Sequence, residues 1–474
     1  MAVLTRSRPA TRQRVHSPRA RRRTELGLLV GATAIVVAVY VLVVEGESRT
    51  APSDLGPLLA AIVALAACAH VANRIFAPNA HPAVLPVVFL LNGIGYAVLV
   101  RIDYATAHSF APFQAAWTAV GVAGYVLTLV FVRRSRDLDR YRYLLLLAAV
   151  LLLLSPMVPH IGQDINGARL WIKLGPIQFQ PIEVAKILLC LFFASYFAEK
   201  RELLSIPTAR MGNRLVVDPR PLVPIAFAWL FAIAVMSLEH DIGFSALLFT
   251  LFIGMLWVTT GRTGYLVLGI ALFAVGAFLS AHLFAQTNVR IETWLDPWKV
   301  IPPNDPGYQL RLAWFSLGTG GIGGTGLGLG AAAYTIPNVQ TDFIFTVIGE
   351  EMGLLGSTVI VVAFLLLVGA GLRIAQAARS EFAKLAATGL TLILGFQSFF
   401  ILAGIARLLP LTGITLPFVS YGGSALVANY VLVALLMRIS HEGGTAIDEA
   451  ERHADERVAA RRRALLAGPL GRPG

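Results

Sequence analysis

Twelve apolar segments, each close to the length that crosses a lipid bilayer, dominate the 474-residue chain. A transmembrane helix needs about 20 predominantly apolar residues. Charged residues make up only 14% of the chain, which excludes an ordinary soluble globule. The twelve segments are residues 25–45, 54–73, 82–100, 113–132, 143–159, 181–198, 221–238, 242–260, 264–286, 343–372, 385–406 and 415–438. The sequence therefore predicts an all-α polytopic integral membrane protein with about 12 transmembrane helices.

The distribution of basic residues predicts how these helices are oriented. Segments on the cytoplasmic side of a membrane protein carry an excess of Lys and Arg. With the Arg-rich N-terminus in the cytoplasm, the segments on that side hold 29 of the 39 Lys and Arg, and the outer segments, in which Arg101 is counted, hold 8. Both termini are therefore expected in the cytoplasm, with charged tails at 1–24 and 441–474 on either side of a transmembrane domain at 25–440.

One connection is much longer than the others. Residues 287–341 form a single large extracytoplasmic loop rich in Trp and Tyr, which favour the headgroup level of a membrane, so we expect ordered structure there. Within it, Gly318 to Gly330 reads GTGGIGGTGLGLG. No strand precedes this run, so close backbone approach is a better interpretation than a dinucleotide site. A contact between its amides and a lipid-linked phosphate is the alternative.

Ionisable residues at membrane depth usually mark a pathway or a site. Glu183 and Lys186 are three residues apart on one predicted helix, so they share a face and can form an ion pair; a pair that only fixes packing is an equal alternative. Asp241 and Asp342 each come just before an apolar span. Capping of the following helix is the alternative to a functional role for both aspartates.

Two adjacent acids, Glu350 and Glu351, lie deeper in the helix that Asp342 opens. They cannot share a helix face, so one is expected to face the helix bundle and the other to need a separate partner. The nine His residues are scattered without metal-ligand spacing, so no dedicated metal site is predicted. A divalent cation held by carboxylates and a substrate diphosphate is compatible with the sequence, which does not require it.

Five ordered strings resemble the SEDS family of bacterial cell-wall proteins, named for shape, elongation, division and sporulation. The resemblance covers about residues 140–440 of the chain. The strings are NGARLWIKLGPIQFQPIEVAKI at 166–187, HDIGFSAL at 240–247, DPGYQ at 305–309, TDFIFTVIGEEMGLLG at 341–356 and LLPLTGITLPFVSYGGSALVANY at 408–430.

The resemblance implies a multi-pass glycosyltransferase of the bacterial cytoplasmic membrane that polymerises lipid II into glycan strands at its outer face. Asp342 opens the TDFIF string and takes the place of the family's essential acid, so it is expected to be the catalytic general base. By the same matching, Glu183 and Lys186 take the places of the family's helix-borne acid and base, and Asp241 that of its outer-side aspartate.

The expected reaction also needs groups that bind the diphosphate of the substrate. Cationic side chains such as Arg169 or Lys186 can stabilise the negative charge that develops on this leaving group. Gln309, at the end of the DPGYQ string, is a further substrate-binding candidate.

The resemblance also implies partners. Family members pair with a class B penicillin-binding protein, which supplies the transpeptidation for which this chain has no SxxK or KTG motif. The two additional N-terminal spans, the Arg-rich tail and the string ARLLPLTGITLPF resemble actinobacterial members, and the short tails favour an elongation-type member over a division-type one. A lipid II flippase or transporter, and a non-catalytic scaffold, are the alternatives from other functional classes. Lipid II and the membrane are expected partners, and nucleic acid is not.

Overall fold

The computed structural model describes residues 18–48, 55–159, 161–165, 168–175, 177–205, 209–211, 214–216, 242–283, 285–299 and 307–466, with isolated residues between 220 and 234. Most of the predicted tail at 1–24, the predicted span at 221–238 and Asp241 lie outside these residues.

The first part of the chain forms six helices. α1 packs against α3, and α2 packs against α4. The carboxylate of Asp103 accepts hydrogen bonds from the backbone N–H groups of Phe110 and Ala111, at 2.7 and 2.8 Å, and so satisfies donors at the start of α4 that no helical carbonyl can reach. The helices are α1 (Pro18–Ser48), α2 (Leu55–Phe76), α3 (Val84–Thr106), α4 (Phe110–Phe131), α5 (Ser135–Arg140) and α6 (Arg142–Leu154).

Two small sheets show that the fold is mostly but not entirely helical, which corrects the all-α prediction. β1 (Gly162–Ile165), β2 (Ala168–Leu174) and β3 (Ile177–Phe179) form an antiparallel sheet in which Ile172 is paired with Phe179. β4 (Ala209–Met211) and β5 (Arg214–Val216) form a hairpin. Strands this short leave no periodic apolar pattern that separates them from the loops between spans.

The remaining helices form the core and carry most of the candidate residues. α7, α8, α13, α14 and α15 pack together around a buried apolar core. α13 is kinked at Gly353, where the backbone has φ 64° and ψ −163°. These helices are α7 (Ile182–Ser205), α8 (Ile242–Thr260), α9 (Thr263–Leu283), α10 (Ala285–Leu295), α11 (Gly307–Gly320), α12 (Ala332–Thr335), α13 (Ile344–Gln376), α14 (Glu381–Ile405) and α15 (Gly423–Leu466).

The helices agree with the predicted membrane spans where they can be compared. Eleven of the twelve predicted apolar segments coincide with a described helix. Seven described helices are long and apolar enough to cross a membrane, and three more contain shorter apolar stretches. The protein is therefore a multi-pass membrane protein. The predicted loop at 287–341 contains α11, α12 and most of α10 within its described part, so it is ordered there, as expected.

Candidate functional site

Asp342 lies immediately before α13 and is half-buried. The helix begins at Ile344, its N-cap residue is Phe343, and no side chain caps it, so the capping alternative for Asp342 does not hold. Burial raises the pKa of Asp342 to about 6, and the positive charge of Arg290 acts in the opposite direction. A carboxylate with this pKa is ionised at neutral pH and still basic enough to accept a proton from a hydroxyl group.

Arg290, on α10, is held in place by the segment that connects α14 to α15, residues 406–422. Its Nη1 donates to the carbonyl oxygens of Leu411, at 3.2 Å, and Thr412, at 2.9 Å. Gly413 follows with φ 75°, and a Cβ atom there would lie 3.6 Å from the guanidinium nitrogens of Arg290. The connecting segment thereby fixes the cation that acts on Asp342.

The same 406–422 segment also holds the backbone next to Asp342. The hydroxyl of Ser420 donates to the carbonyl oxygen of Thr341 at 2.6 Å, and the N–H of Tyr421 donates to that of Gln340 at 2.9 Å. Asp342 is therefore positioned by residues almost eighty places further along the chain.

Glu183 and Lys186 form the predicted ion pair in α7, and both side chains are almost fully buried. Nζ of Lys186 lies 2.5 Å from Oε2 of Glu183 and donates to Oε1 of Gln397 at 2.8 Å. Gln397 donates in turn to the carbonyl oxygen of Thr415 at 2.9 Å, which ties the pair to the 406–422 segment. Among the described residues, Oε1 of Glu183 and the hydroxyl of Thr415 have no hydrogen-bond partner.

The other predicted substrate-binding residues are placed less completely. Gln309 is half-buried on α11, and its Nε2 donates to the carbonyl oxygen of Pro337 at 3.2 Å, in the segment that leads to Asp342. Arg169 lies in β2, but its side chain is outside the described part of the structure, as is all of Asp241. The 406–422 segment contacts both parts of the site, the backbone beside Asp342 and, through Gln397, the Glu183–Lys186 pair. Sequence reasoning identified neither Gln397 nor Arg290.

Glu350 and Glu351 are both buried, and each has its own hydrogen-bond partners. Oε2 of Glu350 accepts a hydrogen bond from the N–H of Ala332 at 2.6 Å. Oε2 of Glu351 accepts one from the N–H of Gly328 at 2.9 Å, and its Oε1 accepts one from Nε of Arg101 at 2.7 Å. The carboxylate of Glu351 therefore binds the glycine-rich run, and that of Glu350 binds the start of α12 just after it.

Arg101 is the centre of this second charge cluster, and sequence reasoning missed it because it counted Arg101 as an outer loop residue. The side chain is 1% exposed at the end of α3. Its Nη1 pairs with the carboxylate of Glu47, at the end of α1, and its Nη2 donates to the carbonyl oxygen of Gly330 at 2.7 Å. Its guanidinium carbon also lies 4.7 Å from the ring centre of Tyr334. The available indication was an Arg directly after a predicted span.

The glycine-rich run approaches the backbone of α13 closely, as predicted. A Cβ atom at Gly324, where φ is 85°, would lie 2.1 Å from the carbonyl oxygen of Glu351. The N–H groups of Thr325 and Gly326 donate to the carbonyl oxygens of Glu350 and Glu351. These amides, with that of Gly328, bind the protein's own helix, which counts against the alternative that the run binds a phosphate.

The described residues contain no candidate metal centre. Within the described part of the chain, no group of three or more His, Cys, Asp or Glu side chains is arranged to hold a metal ion.

The fold and the site together define a multi-pass membrane protein with two groups of buried acids and cations, one of which, around Arg101, contacts the described part of the long loop. A family model described as a cell cycle protein, FtsW/RodA/SpoVE, matches residues 73–444. The chain belongs to this family. The family resemblance found in the sequence is thereby confirmed, while α1 and most of α2 lie before the matched region.

Several relatives are similar over most of their length. The peptidoglycan glycosyltransferase RodA of Mycobacterium tuberculosis is 41% identical over 428 residues, which is 89% of this chain and 91% of that protein. RodA of Mycobacterium leprae is 39% identical over 427 residues, covering 89% and 90%. A probable peptidoglycan glycosyltransferase FtsW of Geobacter sp. strain M18 is 38% identical over 298 residues, covering 62% and 77%.

Solved structures have the same fold. A chain from a peptidoglycan synthase complex that coordinates polymerization and crosslinking superposes with a TM-score of 0.60 at 27% identity, covering 75% of this chain and 97% of that one. The rod shape determining protein RodA of Thermus thermophilus gives a TM-score of 0.55 at 24% identity, covering 76% and 96%.

Proposed function

We propose that the protein is a peptidoglycan glycosyltransferase that polymerises lipid II into glycan strands at the outer face of the bacterial cytoplasmic membrane. The mycobacterial relatives that carry this activity in their names match 89% of the chain. The structural observation that carries the proposal is the state of Asp342. Its carboxylate is half-buried, does not cap α13, and has a pKa raised to about 6.

In the proposed reaction Asp342 acts as the general base. It accepts the proton of the attacking sugar hydroxyl while the bond between the anomeric carbon of the donor and its diphosphate oxygen breaks. Undecaprenyl diphosphate leaves, and direct displacement inverts the anomeric carbon. A positioned base of this kind contributes roughly 10²–10⁴-fold to the rate.

The other site residues have supporting roles in this proposal. Arg169 and Lys186 stabilise the charge on the diphosphate, and Asp241 and Gln309 contribute to substrate binding. Oε1 of Glu183, which has no partner among the described residues, is available to accept a hydrogen bond from a substrate hydroxyl or from water.

The proposal includes the cellular setting. In this proposal the chain has twelve spans and both termini lie in the cytoplasm, so that Asp342 is on the outer side of the membrane, where lipid II is polymerised. A class B penicillin-binding protein is the proposed partner, since one structural neighbour comes from a complex that coordinates polymerization and crosslinking. The identity to RodA over most of the chain favours a role in cell elongation and shape over one in division.

A lipid II flippase or transporter is the competing function. A transporter binds its substrate near the middle of the membrane, where two repeats meet. Asp342 instead lies just before the candidate span Ile344–Gln376, at the end of a long loop. Its place at a helix terminus fits interfacial chemistry better than transport.

The test is polymerisation of purified lipid II by the reconstituted protein, with and without a cognate class B penicillin-binding protein. We expect Asp342→Asn to lower the rate at least about a hundredfold while expression and membrane insertion stay normal. Asp296→Asn is the matched control, because Asp296 is a loop acid whose carboxylate only accepts a turn hydrogen bond from the N–H of Trp298. Wild-type activity in Asp342→Asn would contradict the proposal, and lipid II translocation without any glycan product would favour the flippase.

A further inference from the structure

A small polar cavity lies where the start of α1 meets the end of α2. Its volume is about 10 Å³, which is room for one water-sized group, and its mouth opens to the surface. Three guanidinium groups face one carboxylate here, so the cavity is positively charged. It is lined by Arg21, Arg22, Glu25, His70, Asn73 and Arg74.

Two nitrogen atoms in the cavity wall have no hydrogen-bond partner among the described residues. They are Nε of Arg22 and Nε2 of His70, and both atoms are buried. The His70 residue is only 5% exposed. Buried polar atoms in folded proteins almost always have a partner. Nε of Arg22 can only donate, so it indicates a ligand that accepts hydrogen bonds, and Nε2 of His70 is a second polar atom for the same ligand.

A hydrogen-bond network orients the His70 ring toward this role. Its Nδ1 lies 2.7 Å from Oε1 of Glu25, which also accepts a hydrogen bond from Nδ2 of Asn73 at 3.2 Å. Asn73 is itself held by the hydroxyl of Tyr125, which donates to its Oδ1 at 2.5 Å. Because Nδ1 faces the Glu25 carboxylate, Nε2 is the ring atom that remains for a ligand: it donates to a phosphate oxygen when it carries a proton and accepts from a phosphate hydroxyl when it does not.

The place of the cavity in the fold indicates where its ligand comes from. The candidate span of α1 begins at Arg21, and that of α3 begins at Val84, just beyond the chain at 77–80 that completes the wall. The cavity therefore lies at a face of the membrane, at the depth of lipid headgroups. Arg74 is exposed beside it, and Arg21 is held by its hydrogen bond to the carbonyl oxygen of Asn79.

We propose that this cavity binds the phosphate group of an anionic phospholipid headgroup. One phosphate oxygen enters between Nε of Arg22 and Nε2 of His70, and the other oxygens face Arg74 at the mouth. Guanidinium groups form short, charge-assisted hydrogen bonds with phosphate. The site lies almost entirely on α1 and α2, before most of the region that the family model matches, and is separate from the proposed active site.

The test is native mass spectrometry of the full-length protein, released from vesicles that contain equal amounts of phosphatidylglycerol and phosphatidylcholine. We expect one retained phosphatidylglycerol in the wild type. Loss of a charge-assisted hydrogen bond to phosphate predicts at least about a tenfold loss in retention for Arg22→Gln or Arg74→Gln, beyond any loss in a control that only lowers the surface charge. Arg23→Gln is the matched control, because it removes the same charge from the next, exposed position, which does not line the cavity.

The outcomes separate a specific site from general attraction to the membrane. Equal loss in Arg22→Gln and Arg23→Gln, or no preference for phosphatidylglycerol in the wild type, would overturn the proposal. A second measurement adds inorganic phosphate to lipid-free protein in detergent and follows thermal unfolding. Stabilisation that disappears in Arg22→Gln but not in Arg23→Gln, with no lipid retained, would assign the phosphate chemistry to the cavity but make free phosphate its ligand, against the headgroup.

Discussion

Two groups of buried charges in this protein differ in how completely their hydrogen bonds are satisfied. Arg101 uses all three guanidinium nitrogens, on Glu351, Glu47 and the carbonyl oxygen of Gly330. In the Glu183–Lys186 pair, by contrast, one carboxylate oxygen has no partner within the described residues. Each guanidinium nitrogen of Arg101 thus has a partner within the protein, so we interpret the cluster around it as structural. The Glu183–Lys186 pair retains a buried oxygen that can accept a hydrogen bond, which fits a role in the reaction.

The largest expected effect on stability comes from replacing Arg101, the centre of its charge cluster. Arg101→Met leaves Glu351 buried without its counter-charge, and breaking a buried pair on one side costs about 3–5 kcal/mol. The thermal unfolding midpoint in detergent should fall strongly, while activity per folded molecule stays close to wild type. Glu351→Gln in the same background should recover part of the loss. If Arg101→Met were stable but inactive, Arg101 would have a role in the reaction, and the difference between its cluster and the Glu183–Lys186 pair would not hold.

Removing one charge of the Glu183–Lys186 pair should affect the reaction directly. Glu183→Gln leaves Lys186 buried without a counter-charge, so stability also falls. Beyond that, we expect lipid II polymerisation per folded molecule to fall at least about tenfold, because the amide oxygen faces Lys186 and an NH2 group then replaces the carboxylate oxygen that has no partner. Polymerisation rates normalised to the folded fraction measure this difference. Full stability and full activity in this variant would show that the pair has neither role.

The pH dependence of polymerisation tests the proposed general base, Asp342. Burial raises its pKa to about 6, and the base must be ionised to accept a proton. The rate should therefore be nearly constant above pH 7 and fall about tenfold for each pH unit below 6. Asp296→Asn should have the same profile as wild type. A rate that is flat down to pH 5 would exclude Asp342 as the base whose titration limits the reaction.

The smallest effect is expected at Glu47, on the edge of the Arg101 cluster. Glu47→Gln removes one carboxylate from Arg101 but leaves Glu351 to balance its charge, and Glu47 is 16% exposed. A loss of about 1 kcal/mol in unfolding free energy is expected, with unchanged polymerisation per folded molecule. Chemical denaturation in detergent measures this change. A loss as large as that of Arg101→Met would show that the ion pair between Glu47 on α1 and Arg101 is essential to the stability of the cluster.

The candidate site was only partly predictable from the sequence. The i, i+3 spacing of Glu183 and Lys186 predicted their ion pair, because that spacing sets two side chains on one helix face. Gln397, which completes the pair, is 211 residues from Lys186, and no local pattern connects them. Arg290 could not be identified from the sequence either, since its effect on Asp342 depends on the hydrogen bonds that position Arg290 against the 406–422 segment.

The glycine-rich run gives a similar lesson. Its composition indicated close backbone approach, because residues without a Cβ atom permit it. What it approaches, the kinked backbone of α13 at Glu350 and Glu351, follows only from the packing of the loop on that helix. The short strands at 162–179 were missed because three to seven residues carry too little periodicity to be distinguished from a loop.

The sequence by itself determined that this is a helical membrane protein, because segments of about 20 apolar residues can bury their backbone in lipid only as helices. It also determined the family and the likeness of Asp342 to a catalytic acid, because these depend on residues adjacent in the chain. Tertiary structure decided which buried charges meet. Arg101 and Glu351 are 250 residues apart, and a buried charge takes whichever opposite charge the packing of the helices brings within a few ångströms.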